Sequence, residues 1–313
     1  MYLICGEALF DVFSQDAGTR SSELELKAIA GGSPFNVAVG VARLAAESAL
    51  FAGISSDYFG ARLRRVLAEE GVNGDYLVGS EAPTTLAMVG VDAQGVPQYS
   101  FRGEGCADRL LRTEHLPALD TRVRGIHVGS FSLVVTPVAD TLLELVQRES
   151  ERRLISLDPN VRLGVEPRVA IWQQRIEAFA AQAHLIKVSE EDLELLYPER
   201  EPEEVIGRWL DQRCQLVFLT HGSNGASVFS RRHGHWSVPA QPVVTRDTVG
   251  AGDTFQAALL AYLARHGLDS PAALADLALE HLEAMLDYAV RAAAVTCSRV
   301  GPDLPRAHEL QAG

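Results

Sequence analysis

Apolar and polar positions fall into two alternating patterns along this chain. Short β-rich runs at Leu3–Cys5, Ala49–Gly53, Gly125–Val128, Leu154–Leu157, His184–Val188 and Leu216–Leu219 read as buried strands. Between them, Ser33–Ala46, Tyr58–Glu70, Pro137–Arg148, Arg168–Ala181, Glu203–Arg213, Gly250–Ala264 and Ala272–Cys297 carry the spacing of amphipathic helices. That alternation predicts an α/β fold with a mostly parallel sheet covered on both faces. One segment breaks it: Leu86–Val91 and Pro97–Phe101 flank Asp92-Ala93-Gln94-Gly95 with no helix between them, a hairpin signal. Because a hairpin cannot join two neighbouring parallel strands, this one is predicted to project from the main sheet. No linker and no internal repeat interrupts the chain.

Composition narrows the function classes. With 313 residues, 47% hydrophobic and 22% charged, the chain can bury a large core in one or two domains. No apolar run reaches the ~20 residues that span a bilayer, and Met1-Tyr2-Leu3-Ile4-Cys5 enters a strand without a basic leader, so no membrane association and a cytoplasmic location are expected. A net charge of −13 without a basic stripe argues against a nucleic-acid partner. The four cysteines, Cys5, Cys106, Cys214 and Cys297, have no paired spacing and predict neither a zinc site nor a disulfide framework.

The candidate chemistry concentrates in Asp247-Thr248-Val249-Gly250-Ala251-Gly252-Asp253-Thr254-Phe255. Gly250 and Gly252 let a ligand approach the main chain, and the helical spacing of Phe255, Ala258, Leu259 and Tyr262 places this turn at a helix N-terminus, where unpaired N–H groups attract anions. An acid on that positively polarised turn is the wrong sign for holding phosphate, so Asp253 is read as managing a proton while the amides hold the anion. No Gly-Lys-Ser/Thr triplet follows the glycines, which excludes a Walker A loop. A plain capped helix uses the same letters. Near the N-terminus, Gly31-Gly32-Ser33-Pro34-Phe35-Asn36 offers close backbone approach, a capping serine, a proline suited to a first helical turn and an amide that both donates and accepts.

Together these two segments resemble the signatures of the ribokinase-like, or PfkB, family of carbohydrate kinases, and the similarity runs from about Leu3 to about Pro305. The resemblance implies a three-layer α/β/α sandwich forming one kinase domain over 1–313, with a small β lid over the sugar built from about 10–28 and 86–102. It implies that Asp11, in Gly6-Glu7-Ala8-Leu9-Phe10-Asp11, binds sugar hydroxyls with Gly31, Gly32 and Asn36. It also implies that Lys187 and Ser189, with Thr220, Gly222 and Gly225 of Leu219-Thr220-His221-Gly222-Ser223-Asn224-Gly225, line a nucleotide site. Tyr99-Ser100-Phe101-Arg102 looks like the lid of fructokinases, which adds Phe101 and Arg102 to the sugar contacts. Asp158-Pro159-Asn160-Val161-Arg162 is similar to an element of fructokinases and of 2-keto-3-deoxygluconate kinases, and puts Arg162 where sugar and phosphate meet. By the same resemblance, ATP and Mg²⁺ are the cofactors, a potassium-like ion sits beside Asp247, and the helix from Ala272 onward walls the adenine; the projecting edges of the hairpin, which must be paired or covered, predict a homodimer through the lid.

One element departs from the family pattern. Lys187-Val188-Ser189-Glu190-Glu191-Asp192 stands where the family has Asn-x-x-Glu, so Ser189 replaces Asn, and Asp192, one methylene shorter than Glu, would reach magnesium through a water. Ser189 capping a helix with acids in its first turn explains the letters equally well. The expected reaction is ATP-dependent phosphorylation of D-fructose at its 6-hydroxyl, with Asp253 as general base and the amides near Gly250, Ala251 and Gly252 stabilising the transferred group. The competing readings are a 2-keto-3-deoxygluconate kinase, a nucleoside kinase and a sugar-binding protein without turnover.

Overall fold

The computed structural model describes residues 1–15, 22–91 and 97–310. In chain order, β1 (Tyr2–Cys5), β2 (Leu9–Gln15) and β3 (Glu25–Gly31) precede α1 (Ser33–Arg43). Then come β4 (Ser48–Phe51), β5 (Gly53–Ser55), α2 (Tyr58–Glu69), β6 (Val78–Ser80), β7 (Leu86–Val91) and β8 (Pro97–Arg102). The middle of the chain runs through β9 (Gly125–Gly129), α3 (Val138–Glu149), β10 (Leu154–Asp158), α4 (Val169–Ala180), β11 (Leu185–Ser189), α5 (Glu190–Leu196), α6 (Pro202–Leu210) and β12 (Leu216–Thr220). It closes with β13 (Ala226–Ser230), β14 (Gly234–Val238), α7 (Ala251–Arg265), α8 (Pro271–Ala275) and α9 (Leu279–Cys297).

The main sheet has the order β14-β13-β12-β11-β10-β9-β1-β4, parallel from β12 to β4. Its central strands are buried along their whole length, which is why they read as unbroken apolar runs. On one face Ile4, Leu154, Leu185 and Phe218 meet the apolar sides of α1, α7 and α9. On the other, Leu3, Ile126, Leu157 and Val217 meet α3, α4 and α6 through Leu142, Ile176 and Trp209. The antiparallel pair β13–β14 extends the sheet at one edge, a departure from the strictly alternating pattern expected. The expected helix 272–297 is broken: Ser270 caps the short α8, accepting from the Ala273 N–H at 3.2 Å, and α9 starts afresh at Leu279.

β2, β3, β7 and β8 form a second, four-stranded sheet of order β3-β2-β7-β8. The predicted hairpin is present as the antiparallel pair β7–β8; its turn at 92–95 lies outside the described residues. Register fixes the faces, since paired residues on neighbouring strands point the same way. Asp11 pairs with Ala87, and Ala87 with Phe101, so Asp11 and Phe101 share a face; Arg102, one residue on, pairs with Leu86 on the other. Among the described residues no helix is long and apolar enough to cross a membrane, and Cys5, Cys106, Cys214 and Cys297 are all free thiols.

Candidate active site

The carboxyl ends of the parallel strands are where open α/β sheets bind ligands, and the motif residues gather there. Gly250 ends the preceding loop in the left-handed region, φ 80° and ψ 0°, and serves as the N-cap of α7, with Asp253 three residues on in the first turn. A side chain at Gly250 would also meet the Pro302 Cβ at 2.8 Å, so turn geometry and packing both require glycine. The Ala251 N–H is engaged with the Thr248 carbonyl at 3.2 Å. That leaves the N–H groups of Gly252 and Asp253, which helix geometry gives no intrahelical partner, as donors of the kind that attract anions.

Asp253 is almost fully buried and held from α1. Ser33 Oγ donates to Asp253 Oδ1 at 2.6 Å, and Asn36 Nδ2 donates to Oδ2 at 2.8 Å. Ser33 therefore does not cap α1 as expected; Gly32, at φ 101°, is the N-cap and makes no side-chain bond, and Ser33 turns inward to the carboxylate. Pro34 occupies the first turn as expected. Gly31 meets the site from the second sheet: a Cβ there would collide with Asp11 Oδ2, so only glycine leaves that carboxylate its place. Burial first, and the charge of Asp253 second, lift the Asp11 carboxyl to about 6, against the pull of the Arg162 guanidinium. The charges of Asp253 and Arg162 thus both act on Asp11.

Lys187, in the middle of β11, supplies a buried cation. Its Nζ bonds Asp158 Oδ2 at 3.0 Å and lies 3.0 Å from where a Cβ on Gly252 would be, directly beside the glycine turn. Burial alone would lower its pKa, but Asp158, Asp192 and Asp253 together raise it above the ordinary value, so Lys187 stays charged. Asp158 Oδ1 is buried without a partner among the described residues. Asp192 Oδ1 accepts from the Val161 N–H at 2.8 Å, and Ser189 caps α5 by accepting from the Asp192 N–H at 3.0 Å. The capping reading of Ser189 therefore holds, while Asp192 ties the Asp158–Arg162 turn to α5.

Thr220 ends β12 opposite Ser189, and Gly222 and Gly225, both at positive φ, shape the turn that follows. Asp247 Oδ1 accepts from the Val249 N–H at 3.0 Å and Oδ2 from the Gly301 N–H at 2.8 Å, tying the glycine turn to the C-terminal segment. Phe101 stacks edge-on against Phe131 with ring centroids 6.0 Å apart. The structure does not bring Arg102 to this cluster: it is exposed, on the face of the second sheet away from Asp11 and Phe101. A different cation, Arg109, lies over the Phe131 ring at 5.1 Å. No sequence signal singled it out. Ser33 and Asp158 were each visible inside a motif, but their partners lie far away in the chain.

Known proteins resemble this chain over most of its length. A family model described as pfkB family carbohydrate kinase matches residues 2–309. The fructokinase of Rhizobium leguminosarum bv. trifolii is 36% identical over 263 residues, 84% of this chain and 79% of the relative. The crystal structure of Xylella fastidiosa fructokinase with bound ATP superposes with a TM-score of 0.90 at 29% identity, covering 99% of this chain and 96% of the other. A fructokinase double mutant from Vibrio cholerae O395, in its fructose-, ADP- and potassium-bound form, superposes at 0.85 with 25% identity over 99% and 97% of the two chains. Matched by the family model over nearly its full length, the chain belongs to the pfkB family of carbohydrate kinases and has the ribokinase-like fold.

Proposed function

We propose that this sugar kinase is a fructokinase that transfers the γ-phosphoryl group of ATP to the 6-hydroxyl of D-fructose. The observation that carries this reading is the clamp on Asp253: a buried carboxylate fixed by Ser33 and Asn36, in the first turn of α7, beside Lys187 and opposite Asp11. Asp253 takes the hydroxyl proton as the sugar oxygen forms its bond to the γ-phosphorus, and the bond to the bridging oxygen of ADP breaks with its electron pair. The Gly252 and Asp253 amides and the Lys187 ammonium meet the charge on the transferring group. Asp11, Gly31, Gly32 and Asn36 hold the sugar, with Phe101 closing its side; Thr220, Gly222 and Gly225 line the nucleotide end with Ser189. The unpartnered oxygen of Asp158, with Asp192 acting on it electrostatically, suits a hydrated Mg²⁺. Asp247 keeps lone pairs beyond its two hydrogen bonds, which suits a potassium ion stiffening the turn. Those ions, when bound, neutralise phosphate charge and hold the anion-binding turn rigid.

Charge separates fructose from 2-keto-3-deoxygluconate. A keto acid needs a free cation for its carboxylate, whereas the Arg162 charge already acts on Asp11 and Lys187 is bonded to Asp158. A neutral ketohexose satisfies Asp11 and Asn36 through its hydroxyls and leaves no buried charge unpaired. The relatives named fructokinase point the same way. The test is kcat/KM for D-fructose, 2-keto-3-deoxygluconate, ribose and adenosine with Mg-ATP and potassium. Fructose is expected to lead; a keto acid ahead by about tenfold or more would reassign the substrate and keep the reaction, and absence of turnover with every sugar would leave a binding protein.

The second sheet, on this reading, is a lid that also makes a homodimer. Its edge strand β3 exposes Leu26 at 46%, with Leu24 at 61% just before it, apolar surface of the kind that association covers. Sedimentation equilibrium is expected to give twice the chain mass, and Leu26→Lys to shift it toward the monomer. A monomeric wild type would remove the dimer.

A further inference from the structure

Behind the site lies a polar group that the reaction as described does not use. His127 of β9, Ser156 of β10 and Gln256 of α7 are all fully buried between the sheet and α7. Gln256 Nε2 donates to Ser156 Oγ at 2.9 Å, and Ser156 Oγ meets His127 Nδ1 at 3.2 Å. We propose that His127, Ser156 and Gln256 are positioning residues for phosphoryl transfer, a buried strut that sets the Asp253-bearing turn of α7 against Lys187 and Asp158. The proposal rests on the assignment of Asp253 above.

Placement supports it first. Gln256 is three residues beyond Asp253, on the same side of α7. Ser156 is two residues before Asp158, on the same face of β10. The strut therefore joins the helix and the strand that carry the two carboxylates flanking Lys187. Through Ser156 it fixes the height of α7 over the sheet, and with it the distance from Asp253 to the Lys187–Asp158 pair.

Energetics supports it second. His127 Nε2 and Gln256 Oε1 are buried with no hydrogen-bond partner among the described residues. Gln256 sits among Phe255, Ala257, Ala258 and Leu259, all buried, where an apolar side chain would avoid that cost. Polar groups kept where stability disfavours them mark places where function sets the residue. Burial, with the charge of Lys187 second, lowers the His127 imidazole to about 3, so the ring is neutral and acts through its dipole and shape. Satisfying both bonds has Ser156 accept from Gln256 and donate to His127 Nδ1, which leaves the ring proton on Nε2.

The decisive variant is His127→Leu/Ser156→Ala/Gln256→Leu, which removes every polar partner together. Its Tm is expected at or above wild type, its kcat reduced by about 10- to 100-fold, and its KM for fructose and ATP nearly unchanged. A triple variant with wild-type kcat, or one whose KM rises as steeply as its kcat falls, overturns the proposal. Should the triple variant not fold, Ser156→Ala decides alone: a lowered kcat at constant KM supports the strut, and wild-type kinetics reject it. Asp253→Asn, assayed in parallel, separates the two ideas. Near-normal turnover there rejects the base assignment, whereas a slow Asp253→Asn beside a fast triple variant rejects only the strut.

Discussion

Asp253→Asn is expected to lower kcat by about 10²- to 10⁴-fold, the range over which loss of a general base is felt. The substitution keeps size and both restraining contacts. Ser33 still donates to the remaining carbonyl oxygen, and Asn36, whose amide can turn over, presents its own oxygen to the new NH₂ group. The two anion-facing backbone amides stay in place at the start of α7, so phosphate binding and KM for fructose should change little. The split between kcat and KM is the informative part, because it separates a proton acceptor from a residue that merely holds sugar. Steady-state assays on a variant with a wild-type circular dichroism spectrum check it. Turnover within about tenfold of wild type would remove Asp253 from its role.

What could be read ahead of the structure divides along a physical line. The Asp253 turn and the Gly31–Asn36 segment each carry their chemistry within a few consecutive residues, so glycine freedom and helix-end polarity were legible locally. Contacts between remote segments were not. Ser33 looked like a cap because a serine before a helix usually is one; only the meeting of α1 and α7 gives it a carboxylate 220 residues away. Lys187 was assigned to the nucleotide, and its partner Asp158 is visible only once β10 and β11 lie side by side. Arg102 was assigned to the sugar from its place beside Phe101, yet strand alternation sends neighbouring side chains to opposite faces. Ser189 and Asp192 are ambiguous in sequence because a helix cap and a metal-facing carboxylate use the same letters; the cap on α5 is present, and Asp192 makes a tie to the Val161 N–H that neither reading contained. The β13–β14 pair falls outside the strand–helix rhythm because β12, β13 and β14 follow one another with no α-helix between them.

Asp11→Asn is expected to act on the other parameter. A carboxylate that accepts sugar hydroxyls through charge-assisted hydrogen bonds contributes about 1.5–3 kcal/mol, so its neutral isostere should raise KM for fructose roughly 10- to 100-fold while kcat falls much less. The amide fits the space, since Asp11 Oδ2 already lies against Gly31 and the replacement adds no heavy atom there. The pH dependence carries the stronger test. Burial and the neighbouring Asp253 raise the free-enzyme Asp11 to about 6, so it is ionised at neutral pH and takes up a proton as the pH falls through that value. Protonation removes the anionic acceptor, and kcat/KM for fructose should therefore decline on the acid side of about 6. In Asp11→Asn nothing titrates at this position, so kcat/KM starts lower and that limb disappears. The sign is opposite to what a structural carboxylate of this kind predicts: a folded-state pKa lifted above the unfolded one makes the fold more stable as pH drops, not less. Parallel measurement of Tm and kcat/KM between about pH 5 and 8 thus distinguishes a sugar ligand from a buried acid of purely structural importance. A KM within about threefold of wild type, or an acid limb that survives the substitution, would take Asp11 out of the sugar site.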